Sequence, residues 1–336
     1  MAQPSDSNAL RIGILSTAKI ARNRLIPAIL GSRNATVVAI ASRDADRARD
    51  LARENGIPRW CGSYEALLND PEVEAVYNPL PNSLHRSWSI AAAEAGKHVL
   101  CEKPLAGTAE DAEAIVDACA KRNVKLMEGF MYRFHPRSEA LHIALADHAI
   151  GQIRYIRSAF TFHLADPAST RFSQALEGGA SRDVGCYCID LARWVTGEEP
   201  ISVFADAQVG DDSGVDEVMH ATLRFPWGIV SQHISGFHVN MPADAEIVGT
   251  EGRIRVPEFP RGESYFEIIR GDEAHRVETA TPNQYQLMVE YFADAIRNDR
   301  PIERCGGRNA VANMRVIDAL FESARTGRAI SVLTVK

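Results

Sequence analysis

The chain is poor in cysteine and lacks the spacings that cysteine chemistry needs. Six cysteines are scattered through 336 residues, at 61, 101, 119, 186, 188 and 305, and no CxxC occurs. Cys186 and Cys188 have no second pair near them, so a zinc site, or any other metal, is not expected. This usage fits a reduced, cytoplasmic setting better than a disulfide framework. No apolar run approaches the ~20 residues of a membrane span. Residues 1–8 are polar without the apolar centre of a signal peptide, and residues 1–9 read as a disordered tail. An excess of basic residues is missing too: 37 Lys and Arg against 44 Asp and Glu give a net charge of -7, which argues against nucleic acid as a partner. There is no internal repeat and no low-complexity segment. What is present is an ordinary globular composition, 46% hydrophobic and 24% charged, at a length that predicts about two domains.

The most informative stretch is 99–105, Val-Leu-Cys-Glu-Lys-Pro-Leu. The apolar run 97–101 reads as a buried parallel strand, because it does not alternate. Pro104 stops it, which leaves Glu102 and Lys103 at the carboxyl end of a central strand, where open α/β sheets bind ligands. Further strands read at 10–15, 36–41, 74–77 and 125–130. Helices read at 19–30 (kinked or split by Pro27), 46–55, 63–68, 83–95 and 108–122. This alternation is the pattern of a parallel sheet with crossover helices.

Between the first strand and helix, Ser16-Thr17-Ala18-Lys19-Ile20-Ala21 stands where a dinucleotide fingerprint carries glycines. Serine and alanine still permit close approach of a pyrophosphate to the backbone, although neither reaches positive φ as cheaply as glycine. After the second strand come Ser42 and Arg43, which suit a 2′-phosphate and hence NADP, with Arg47 one turn further on. Asp44 leaves an NAD reading open. The loop 78–85 carries Asn82, placed to cap the next helix and to touch a cofactor, and His85, which either donates to a ribose or covers the helix. Three strand ends, Ser16–Ala18, Ser42–Arg43 and Glu102–Lys103, therefore share one sheet edge.

From about residue 151 the texture shifts to alternating strands at 154–160, 203–207, 220–225, 229–234 and 245–249, as in a mainly antiparallel sheet. Helices at 284–297 and 307–325 close the chain. Within this half, 178–190 starts with a glycine pair read as flexible, and Asp183, Tyr187 and Asp190 at i, i+4 and i+7 share one helical face. If Lys103 lies near, its ammonium stabilises the Tyr187 phenolate, and such a phenol can take a proton from an alcohol while hydride leaves the same carbon.

Glu102-Lys103-Pro104, the Asp183-x-Gly185-x-Tyr187-x-x-Asp190 run and the two-part layout resemble the glucose–fructose oxidoreductase / inositol dehydrogenase / MocA family over residues 10–332. Most members carry His where this chain has Tyr187; tyrosine there is similar to the branch of sugar and dihydrodiol dehydrogenases and sugar ketoreductases. The resemblance implies an NADP-binding Rossmann domain at 10–130, a doubly wound parallel sheet. It implies a second α+β domain at 131–336, whose large open, mainly antiparallel sheet makes homodimer or homotetramer contacts.

On this resemblance Ser16, Thr17, Ala18, Lys19 and Ile20 line the pyrophosphate, and Ser42 and Arg43 the adenosine phosphate, which Arg47 is placed to assist from the next helix. Leu80, Asn82 and His85 flank ribose and nicotinamide, Glu102 and Lys103 sit beside the nicotinamide ribose, and Arg133 and Arg171 border the cleft. Lys103 and Tyr187 form the proton-handling pair, with Asp183 orienting the sugar or the pair, while His163 and Trp194 are structural or wall residues. The expected activity is NADP-dependent hydride transfer to or from a sugar or polyol, preferentially oxidation of an aldopyranose at C1 to a lactone. The alternatives are NADPH-dependent reduction of a keto-sugar (including a nucleotide-linked one), a trans-dihydrodiol dehydrogenase and, more distantly, a non-catalytic NADP sensor.

Overall fold

The computed structural model describes residues 8–261 and 264–332, so most of the expected tail lies outside the described residues. The five runs read as strands are joined by a short sixth that was not read, β3: β1 (Leu10–Leu15), β2 (Ala35–Ala41), β3 (Arg59–Cys61), β4 (Ala75–Asn78), β5 (His98–Cys101) and β6 (Leu126–Glu128). They pair in parallel in the order β3-β2-β1-β4-β5-β6. Chain direction across the sheet reverses at the β1–β4 boundary, the place where such sheets open a crevice at their carboxyl ends. The crossover helices are α1 (Ile26–Leu30), α2 (Ala45–Glu54), α3 (Tyr64–Leu68), α4 (Asn82–Glu94) and α5 (Ala109–Lys121).

Pro27 does not break the first helix. A π turn over Ala21–Leu25 precedes α1, and the Ile26 N–H reaches the Ala21 carbonyl five residues back. The widened turn accommodates a residue with no N–H of its own. Side chains cap α3 and α5: Ser63 accepts from the Ala66 N–H and Thr108 from the Asp111 N–H.

The chain divides into two compact units, the first running to Phe134 and including Pro282–Ala310, the second holding His135–Thr281 and the residues from Val311 on. Thus α8 (Gln284–Arg297), reached after eight of the second unit's nine strands, returns to the first unit. Polar contacts hold it there: Arg297 pairs with Glu74 at 2.6 Å, and Asn34 Nδ2 donates to Asp294 Oδ1 at 2.8 Å.

The second unit is built on nine strands: β7 (Ile153–Thr161), β8 (Ser202–Val209), β9 (Asp216–Arg224), β10 (Val230–Gly236), β11 (Asp244–Gly249), β12 (Arg253–Val256), β13 (Tyr265–Arg270), β14 (Glu273–Glu278) and β15 (Ile330–Ser331). Their order is β14-β13-β12-β11-β7-β10-β9-β8-β15, and every pairing is antiparallel except that of β7 with β10. Four strands that the sequence reading did not name are β12 to β15: β12 and β15 are short, β14 is nearly all polar, and β13 carries its apolar residues without strict alternation. At one edge β14 is charged and exposed; at the other, among the described residues, β15 pairs with Ser202 and Val203 of β8, and Phe204 and Val209 of β8 are exposed. The remaining helices are α6 (Pro136–Ala146), α7 (Cys186–Thr196), which packs on β7 and β10, and α9 (Gly307–Thr326). Among the described residues no helix is long and apolar enough to cross a membrane.

Candidate functional site

The turn after β1 keeps a glycine's geometry without a glycine. Ser16 adopts φ 112°, and its N–H donates to the Ala41 carbonyl at 2.8 Å. Its Oγ accepts from the Ala18 N–H at 3.0 Å, a local bond that helps to hold the unusual backbone. Thr17 and Ala18 complete the turn, and Lys19 and Ile20 begin the helix. Only small side chains stand at Ser16, Thr17 and Ala18, so this segment fits a pyrophosphate laid against backbone.

After β2 the three residues divide their tasks. Ser42 is buried and its Oγ accepts from the Asp44 N–H at 3.1 Å. Asp44 is the N-cap of α2: Oδ1 accepts from the Arg47 N–H at 3.1 Å, and the Arg47 guanidinium lies 3.4 Å from its carboxylate. The acid that left an NAD reading open is thus committed to its own helix. Arg43 is exposed and hydrogen bonds the Tyr64 hydroxyl; burial raises that phenol's pKa and Arg43 works against the rise.

The Glu102-Lys103-Pro104-Leu105 turn is held by three buried side chains from three elements. Tyr77 on β4 donates its hydroxyl to Glu102 Oε1 at 2.7 Å, and burial, with Glu102 beside it, drives that phenol well above its usual range. His85 on α4 places Nδ1 2.8 Å from the Pro104 carbonyl oxygen and Nε2 2.7 Å from that of Leu80. Glu128 on β6 accepts the Leu105 N–H at 2.7 Å. The contacts fall on residues 102, 104 and 105, on both sides of the half-buried Lys103. Burial lowers the His85 pKa to about 4, so the ring is neutral near pH 7 and donates to one of its two carbonyls.

Two expectations change here. His85 has both ring nitrogens on backbone carbonyls, so it supports the turn rather than reaching for a ribose. Asn82 does not cap α4, because the helix starts one residue earlier than expected: Pro81 is the N-cap, Asn82 the first helical residue, and no side chain caps this end. Leu80 is buried, and Arg133 lies in the short 3-10 turn Met131–Phe134 that follows β6.

In the second unit, Asp183 and Tyr187 lie where a π turn, Ser181–Gly185, runs into α7. The 3.6-residue spacing that would align Asp183 with Tyr187 and Asp190 does not hold through a π turn. Gly185 permits close approach, since a methyl there would lie 2.9 Å from Ser235 Oγ. Tyr187 is buried, with its ring edge-on to Phe160 at 5.5 Å between centroids. Asp183 Oδ2 accepts from Arg171 Nε at 2.6 Å, and the Arg171 guanidinium lies 5.9 Å from the Phe162 ring centre.

The glycine pair is not a hinge: a methyl on Gly178 would lie 2.2 Å from the Arg171 carbonyl oxygen, and one on Gly179 2.1 Å from Asp216 Oδ1. Both are required by contact, not by mobility. Trp194 stacks on His142, and the His163 ring lies 6.0 Å from that of His238.

Family models fit both units. One, described as an oxidoreductase family with an NAD-binding Rossmann fold (GFO/IDH/MocA), matches residues 10–130, and the GFO/IDH/MocA C-terminal domain matches 139–255. The chain belongs to the GFO/IDH/MocA oxidoreductases. A D-xylose 1-dehydrogenase (NADP(+)) from Haloferax volcanii is 39% identical over 328 residues, 96% of this chain and 100% of the relative. The aldose-aldose oxidoreductase of Caulobacter crescentus, solved with glycerol, superposes with a TM-score of 0.91 at 29% identity, covering 96% of this chain and 99% of that one. A 3-ketoreductase from Actinomadura kijaniata, solved with NADP and TDP-benzene, gives 0.89 at 30% identity, covering 94% and 98%.

As a GFO/IDH/MocA member the protein is an NAD(P)-dependent enzyme acting on a CH–OH group. The segments after β1, β2, β4, β5 and β6 assemble at the carboxyl edge of its first sheet, Lys103 among them, while Arg171, Asp183 and Tyr187 belong to the second unit. Sequence reasoning passed over Tyr77 and Glu128, the residues that hold this oxidoreductase's Glu102-to-Leu105 turn. Their signal was a polar side chain at or near the carboxyl end of an otherwise apolar buried strand.

Proposed function

We propose that the protein is an NADP-dependent dehydrogenase of a sugar or polyol, with oxidation of an aldopyranose at C1 to a lactone as the preferred reaction. The observation that carries this reading is the end-to-end identity with a relative named as an NADP-dependent D-xylose 1-dehydrogenase. Arg43 supports the choice of NADP, since it is the first exposed side chain after β2 and the neighbouring Asp44 is occupied as a helix cap.

Nicotinamide supplies the hydride acceptor, and the chain supplies the proton chemistry. Tyr187 takes the proton of the substrate hydroxyl as the C–H bond breaks. Lys103 favours the phenolate and binds the same hydroxyl. Asp183, held by Arg171, orients the sugar.

A second reading is reduction of a keto-sugar, favoured by the likeness to the 3-ketoreductase. The direction is read from products formed with deuterated NADPH. Fluorescence titration with NADPH and NADH, followed by a sugar panel, tests cofactor and substrate together. Lys103→Ala and Tyr187→Phe should each lower kcat by roughly 10²–10⁴. Near-normal turnover in both rejects the assignment, and NADP binding without turnover of any substrate favours a sensor. The same reading expects a homodimer or homotetramer through the nine-stranded sheet, and a monomer by light scattering contradicts that part.

A further inference from the structure

One buried acid beneath the Asp183–Tyr187 segment has no part in the chemistry above. Asp216, the first residue of β9, is 5% exposed. Its Oδ2 accepts the backbone N–H of Ser181 at 2.7 Å, at the first residue of the π turn. Its Oδ1 faces Gly179, where φ is +109° and a methyl group would lie 2.1 Å from that oxygen.

Gly179 passes the contact on. Its N–H donates to the Arg171 carbonyl at 2.9 Å, and its carbonyl accepts the Asp183 N–H at 3.0 Å. Arg171 Nε then donates to Asp183 Oδ2 at 2.6 Å. One carboxylate therefore bonds the start of the turn through Oδ2 and, by the close approach of Oδ1, requires glycine at 179, whose backbone bonds reach both members of the Arg171–Asp183 pair.

The anchor stands on a rigid support, because β9 is paired on both sides, with β8 and β10. A buried carboxylate is unfavourable unless hydrogen bonded, and here a backbone N–H and the positive end of a helical segment offset part of that penalty. Burial still raises its pKa to about 6. An apolar side chain would stabilise the fold more cheaply, so the buried acceptor is better explained by what it holds.

We infer that Asp216 is a positioning residue for the reaction, anchoring residues 179–187 so that Asp183 and Tyr187 are presented in one fixed geometry. The inference rests on the proposed role of Tyr187, and the experiment separates the two. Amide hydrogen exchange of the intact protein is followed in wild type, Asp216→Ala, Asp216→Asn and Asp216→Glu. Steady-state kinetics are measured for the same set and Tyr187→Phe, with NADP and the sugar that the panel shows to be oxidised fastest.

Asp216→Ala should speed exchange in 179–187 at least tenfold, leave the β7 peptide unchanged, and lower kcat at least tenfold while NADPH binding stays within twofold. Asp216→Asn, which keeps an acceptor oxygen for the Ser181 N–H, should recover kcat to within about threefold. If the alanine variant does not fold, Asp216→Glu decides: one added methylene should cut kcat at least threefold with NADPH binding intact. Unchanged exchange in 179–187, wild-type kcat in the alanine or glutamate variant, or an equal loss of cofactor binding overturns the inference. Full turnover by Tyr187→Phe overturns the reading beneath it instead, and the exchange result still decides whether Asp216 is the anchor.

Discussion

Cofactor choice should respond to Arg43 alone. Arg43→Ala removes the exposed guanidinium that follows the buried Ser42 and leaves Asp44 capping α2. A hydrogen bond to a charged group contributes about 1.5–3 kcal/mol. Arg43 is exposed and salt screens it, so the lower part of that range applies, ~1.5–2 kcal/mol, or roughly 10–30-fold in kcat/KM for NADP. NAD carries a hydroxyl where NADP carries the phosphate, so its kcat/KM should move by less than about twofold. The assay is kcat/KM for both cofactors with one sugar at low and at high salt, the difference shrinking as salt rises. Asp44→Ala is the control. Loss of a cap costs about 1 kcal/mol and lowers Tm, and the NADP-to-NAD ratio should not change. Equal loss of both cofactors in Arg43→Ala would refute the reasoning, since it would mean that the arginine shapes the turn rather than reading the phosphate.

Other outcomes follow from the same structure. His85→Leu strips the donor from whichever of the Leu80 and Pro104 carbonyls the neutral ring serves and should cost about 1–3 kcal/mol in urea unfolding, with Lys103-dependent turnover lost in parallel. Burial, the largest cause in each case, lowers the pKa of His85, His135 and His233 to about 4. Between pH 6.5 and 4 the unfolded chain binds protons that the folded chain does not, so stability falls as pH falls through that window, by up to about 3 kcal/mol per histidine. Neither ring nitrogen of His233 has a hydrogen-bond partner among the described residues, so His233→Leu should flatten the acid limb of Tm against pH without loss at pH 8. Gly178→Ala should destabilise by about 1–3 kcal/mol, because a backbone carbonyl 2.2 Å from the added methyl cannot rotate clear; a neutral effect would restore the reading of the pair as flexible.

Much of the first unit was legible because parallel strands buried on both faces announce themselves as mainly apolar runs without alternation, and β1 (apart from Arg11), β2, β4 and β5 do so. The sheet edge bearing Ser16, Arg43 and Lys103 followed from the topology alone. What remained hidden depended on partners far away in sequence. Nothing local marks His85 as bonded to a carbonyl 19 residues on, or Glu128 as bonded to the N–H of Leu105, 23 residues before it. The π turns hid for another reason: hydrophobic periodicity assumes 3.6 residues per turn, and Ala21–Leu25 and Ser181–Gly185 both depart from it. In the second unit β14 escaped notice because an exposed edge strand has no apolar face to display.

The two borders of the nine-stranded sheet carry unequal protection. Charge guards β14, whereas β8 has only two residues of β15 laid along it, beside bare Phe204 and Val209. A chain shortened by the ten residues after 326 would therefore shed the one guard that β8 has among the described residues. Its unpaired N–H and C=O groups would then be open to any strand that arrived, and clumping at high concentration, rather than loss of turnover, would be the first sign of damage.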